Sequence, residues 1–65
     1  MDQDHRTTGR IFDILESIAR QEDGIGFSEI ARRTNIPKGS LHPLLTTMVR
    51  RNYIRYADAE KRYYT

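Results

Sequence analysis

Sixty-five residues make one small domain, with room for about a dozen buried side chains and none for a deep catalytic cleft, so no enzyme is expected. The absence of cysteine excludes a disulfide framework and a thiolate metal site, and His5 and His42 are too isolated to form a zinc cluster, so neither metal nor cofactor is expected. The formal net charge of +2 hides a division: residues 1–29 hold three basic and seven acidic side chains, residues 30–65 eight basic and two acidic, or −4 against +6.

Residues 1–7 read as a flexible tail ahead of a single domain over 8–65. The tail begins Met1-Asp2-Gln3-Asp4, acidic where a secretory leader is basic. No apolar run approaches the roughly 20 residues that span a bilayer, so a soluble, cytoplasmic chain without membrane contact is expected. A first helix is predicted from about Gly9 to Arg20, capped by Thr7 or Thr8. Ile11, Ile14, Leu15 and Ile18 recur there at helical spacing, and Phe12 and Ala19 widen the stripe. Gln21-Glu22-Asp23-Gly24-Ile25-Gly26 breaks the pattern, its two glycines allowing a tight connection, and Phe27 is expected to enter the core. Ser28 is the expected N-cap of a short second helix, with Glu29 in its first turn, ending near Thr34 or Asn35.

Ile30, Ala31, Asn35, Ile36, Leu41 and Leu44 fall at the spacing of two short helices that cross closely, a helix-turn-helix. The third helix carries a conflict, because Pro43 interrupts the apolar series Leu41, Leu44, Leu45 and Met48. An N-cap at Ser40 resolves it by placing Pro43 third in the helix, with Pro37-Lys38-Gly39 as a turn; a kinked helix starting at Pro37 is the alternative. The helix is expected to end near Arg51, with Asn52 as a left-handed cap. Tyr53-Ile54-Arg55-Tyr56 and Lys61-Arg62-Tyr63-Tyr64-Thr65 then read as the strands of a hairpin that must pack Ile54, Tyr56 or Tyr63 on the helices. The predicted fold is mainly α with a small β-hairpin: a winged helix-turn-helix of three helices and a two-stranded wing.

The run Ile36-Pro37-Lys38-Gly39-Ser40-Leu41-His42-Pro43-Leu44-Leu45-Thr46-Thr47-Met48, followed by Asn52-Tyr53-Ile54 and Arg62-Tyr63, resembles the N-terminal domain of IclR-type bacterial transcription regulators. The resemblance covers about Thr8 to Thr65. It departs at Pro43, where the family usually has a polar or basic residue, and at Asn52, where glycine is common. It implies a DNA-binding module of a regulator that, in its full form, binds palindromic operators as a homodimer and carries a separate effector domain. No small-molecule site is expected within these 65 residues.

A basic C-terminal half that coincides with the second helix of the motif is an electrostatic footprint for double-stranded DNA. Lys38, Arg50, Arg51, Arg55, Lys61 and Arg62 are the candidates for phosphate contacts. Ser40, His42, Thr46 and Thr47 are the candidates for base edges or nearby phosphates. Arg32 and Arg33 are expected on a solvent face of the second helix. Most of the first helix's stripe belongs to the monomer core, with Phe12 and Ile14 as candidates for a dimer interface. Two rivals remain. A winged helix can instead dock on another protein without binding DNA, and Tyr53, Tyr56, Tyr63 and Tyr64 could stack on the bases of a single strand.

Overall fold

The computed structural model describes residues 5–65; Met1 to Asp4, and with them most of the expected tail, lie outside the described residues. Three helices, α1 (Arg6–Ala19), α2 (Phe27–Thr34) and α3 (Lys38–Arg50), precede two strands, β1 (Arg55–Ala57) and β2 (Arg62–Tyr64). The strands pair antiparallel, Arg55 with Tyr64, Tyr56 with Tyr63 and Ala57 with Arg62. This is the predicted winged helix-turn-helix.

Helix α1 begins earlier than the threonines suggest. His5 is its N-cap, with Nδ1 3.5 Å from the Thr8 amide, so Arg6 and Thr7 are helical and Thr7 and Thr8 occupy the first turn. Ile14 and Ile18 are buried along it, whereas Phe12 is 58% exposed. Ile14 therefore cannot serve the interface proposed for it with Phe12, because it is wholly enclosed in this chain's own core.

The connection to α2 holds an element that sequence pattern did not reveal. Ile25 forms an antiparallel bridge with Tyr63, its amide donating to the Tyr63 carbonyl at 3.0 Å and its carbonyl accepting from the Tyr63 amide at 2.8 Å. This bridge seats β2 between the helices and β1. Gly26, extended at φ −80° and ψ 164°, follows it as the N-cap of α2 without a side-chain bond. Ser28 is thus the second helical residue and exposed, not the cap. Asn35 ends α2 in the left-handed conformation (φ 59°), as its short polar side chain permits.

Helix α3 also starts before its expected cap. Pro37, whose ring presets φ, is the N-cap, and its carbonyl accepts from the amides of Ser40 and Leu41, each at 2.9 Å. Ser40 is therefore the third helical residue and Pro43 the sixth, inside the ladder. The helix persists because Leu41, Leu45 and Met48 are all buried on one side of it. Pro43 leaves the Gly39 carbonyl without its ladder donor, and Gly39 is exposed to solvent that can take that role. At the other end, Tyr53 donates to the Met48 carbonyl at 2.9 Å and Asn52 to that of Val49 at 3.0 Å, with Asn52 at φ 68°. That is the Schellman pattern expected of a left-handed cap.

The strands are shorter than predicted: Tyr53 and Ile54 are bent chain, not β-ladder, because the helix cap occupies the Tyr53 amide. Ile54 nevertheless joins the core, which consists of Ile14, Ile18, Ile25, Ile30, Ile36, Leu41, Leu45, Met48 and Ile54. Truncating one of its fully enclosed members to alanine costs about 2–5 kcal/mol, a large part of the roughly 5–15 kcal/mol by which a domain holds together.

Candidate nucleic-acid interface

With Leu41, Leu45 and Met48 turned inward, α3 exposes Lys38, Gly39, His42, Pro43, Thr46, Thr47 and Arg50. No acidic residue occurs on this helix, and the first residue after it is Arg51, also exposed. Ser40 is half-buried on the flank of that surface. His42 meets the ring of Phe27 edge-on, with centroids 6.2 Å apart at 68°. Phe27 opens α2 and is half-buried against the core, so the helix that precedes α3 props the imidazole at the surface.

The wing stands beside this surface. Because Tyr63 spends its backbone groups on Ile25, its pairing with Tyr56 is the close, non-hydrogen-bonded kind. The two rings accordingly lie 4.6 Å apart. Burial, and secondarily the neighbouring Tyr56, pushes the Tyr63 hydroxyl above its ordinary pKa, keeping it neutral. An open, mainly apolar groove of about 570 Å³ runs between α3 and the wing, walled by Phe27, His42, Val49, Tyr56 and Tyr63 with Arg50 at its lip.

The candidate cations divide by environment. Lys38, at the start of α3, and Arg50 and Arg51, at its end, are exposed and make no ion pair among the described residues. Lys61 sits at the hairpin turn with φ 57°, its amide bonded to the Ala57 carbonyl at 2.7 Å. Arg55 lies over the Tyr64 ring, 4.5 Å from its centroid, while the Tyr64 hydroxyl donates to Glu60 and is held neutral mainly by that bond. Arg62 donates to the carbonyls of Asp23 and Gly24 at 3.2 and 3.1 Å, fastening the wing to the α1–α2 turn. Sequence pattern ranked these six alike, since it cannot reveal which guanidinium finds a carbonyl thirty-eight residues away.

Arg32 and Arg33 are outside this surface in effect as well as position. Both donate to the Glu29 carboxylate, Arg33 at 2.7 Å, and these bonds hold Glu29 below the ordinary carboxylate range. Their charge is partly offset within α2 by that one carboxylate. Among the described residues, no three His, Asp or Glu side chains gather as a metal site, and no helix is long and apolar enough to cross a membrane.

The sequence profile of the IclR helix-turn-helix domain matches residues 7–58, most of the chain. No curated protein and no solved structure gives a significant match.

Proposed function

The chain belongs to the IclR helix-turn-helix family of DNA-binding domains, and from that membership we propose that it binds double-stranded DNA sequence-specifically as the DNA-reading module of a cytoplasmic transcription regulator. The observation that carries this reading is α3 itself: a thirteen-residue helix without an acidic side chain, its basic and hydroxyl-bearing face turned to solvent beside the wing. Docked in the major groove, that face brings His42, Thr46 and Thr47 to base edges, while Lys38, Arg50 and Arg51 meet phosphates at the two ends of the helix. Lys61, at the tip of the wing, reaches the flanking backbone or minor groove. Arg55 and Arg62 contribute chiefly by holding the wing in place, through stacking on Tyr64 and the carbonyls of Asp23 and Gly24. In a homodimeric regulator, two such modules would address the halves of a palindromic operator.

Fluorescence anisotropy with mixed duplex DNA across a salt series, with an equally charged single strand as competitor, tests the reading. Duplex binding that weakens steeply with salt and resists the single strand is expected. Failure to bind duplex at low salt, both by this chain and by a tethered dimer of it, would refute the reading in favour of a protein-docking role.

A further inference from the structure

Pro43 breaks the local rules of α3 at an exposed point. It stands sixth in the helix, removes a ladder donor and forces a helical conformation on His42, which precedes it, against the usual preference of such a residue. Pro43 is exposed and adds nothing to the core, so packing does not account for it. A residue that is costly to its own element and buries nothing is best sought in function.

Its position suggests which. Gly39, Pro43, Thr46 and Arg50 succeed one another at steps of four, three and four, along the middle of the exposed side, and Thr47 lies four residues after Pro43. From Gly39 to Thr47, ahead of the long Arg50 side chain, the relief of this stripe is low. Gly39 has no side chain, and nothing stands within 4 Å of where its Cβ would be. The pyrrolidine ring and the two threonines are short. Bidentate reading of guanine or adenine needs Arg, Lys, Asn or Gln, and residues 39–47 contain none of them. What the stripe presents instead is a close-approaching backbone with a proline ring and threonine methyl groups. The apolar feature of a base edge in the major groove is the 5-methyl group of thymine.

Resting on the duplex reading above, we propose that Pro43, with Thr46 and Thr47, forms a thymine-methyl reader. Base preference at the centre of each half-site then comes from apolar contact with thymine rather than from paired hydrogen bonds to purines.

The test begins with selection of preferred duplexes by the 65-residue chain from a random pool. Each thymine of the selected site is then replaced in turn by deoxyuridine, which lacks only the 5-methyl group, and binding is read by anisotropy. At one or two positions the affinity is expected to fall about fourfold, the scale of one buried methyl. At those positions 5-methylcytosine paired with guanine should outperform cytosine. Pro43→Ala, which returns the helix to ordinary geometry and whose fold circular dichroism verifies, should bring the thymine-to-uridine ratio toward one. A selected site without a uridine-sensitive thymine, or an unchanged ratio in Pro43→Ala, overturns the methyl reader while leaving duplex binding in place. Absence of duplex binding at low salt, both by this chain and by a tethered dimer of it, overturns the duplex reading and the reader with it.

Discussion

Gly24 has φ +81°, and a Cβ built on it would stand 2.6 Å from the Tyr64 ring. To make room the ring must leave its contacts with Arg55, which covers it, and Glu60, which accepts from its hydroxyl. Gly24→Ala therefore combines a left-handed alanine with overpacking, and should cost about 2–4 kcal/mol in urea unfolding. Adding Tyr64→Ala should cancel the steric part, so the double variant should lose less than the sum of the two single losses; strict additivity would show that the ring is not the obstacle. Glu29 illustrates an effect set by hydrogen bonds from charged partners. Arg33, then Arg32, lowers its pKa from the ordinary 4.5, so its contribution to stability is present above that value and lost as pH falls through the depressed one. Thermal unfolding followed from neutral pH down through the carboxylate range should show a shallower acid decline for Glu29→Gln than for the parent chain. Equal acid slopes would place the acid-labile group elsewhere. Exposed pairs of this kind contribute modestly.

At the scale of elements, periodicity suffices where burial is one-sided. Ile11, Ile14, Leu15 and Ile18 predict α1, and the alternation of Tyr63 with its neighbours predicts β2, because each pattern reports which side meets the core. The helix-turn-helix crossing was legible for the same reason, from Asn35 and the apolar residues around it. Termini were less so. Capping energies of about 1 kcal/mol are easily outweighed, so the hydroxyls of Thr7, Thr8, Ser28 and Ser40 misled, while His5, Gly26 and Pro37 hold the caps. The Ile25–Tyr63 bridge and the Arg62 bonds join segments far apart in the chain, and a single-residue strand between two glycines has no period to detect. Pro43 shows tertiary packing overriding propensity within one helix. Pro43→Ala should restore the bond to the Gly39 carbonyl and stabilise the domain by about 2–3 kcal/mol, raising the urea midpoint with little change in slope. A neutral or destabilising result would mean that the ring makes contacts within the fold that offset the lost bond.

Across the whole molecule, the uneven charge of the sequence becomes a question of which cations remain available. The cations of residues 30–65 are partly engaged inside the fold: Arg32 and Arg33 share the Glu29 carboxylate, and Arg62 is committed to backbone carbonyls. Arg55 is stacked on the Tyr64 ring, and Lys38, Arg50, Arg51 and Lys61 remain, distributed from the start of α3 to the wing tip around the short polar residues of the helix. This separation predicts two kinds of loss in the proposed duplex complex. Lys38→Ala removes a phosphate contact and should weaken selected and random duplexes alike, lowering the slope of log affinity against log salt by about one. His42→Ala removes a group aimed at base edges, and should reduce discrimination between the two duplexes while leaving the slope nearly unchanged. Anisotropy titrations of both variants at several salt concentrations separate these effects. Equal losses on both duplexes in both variants would contradict the division, and would assign His42 to the support of α3 through Phe27 rather than to sequence reading.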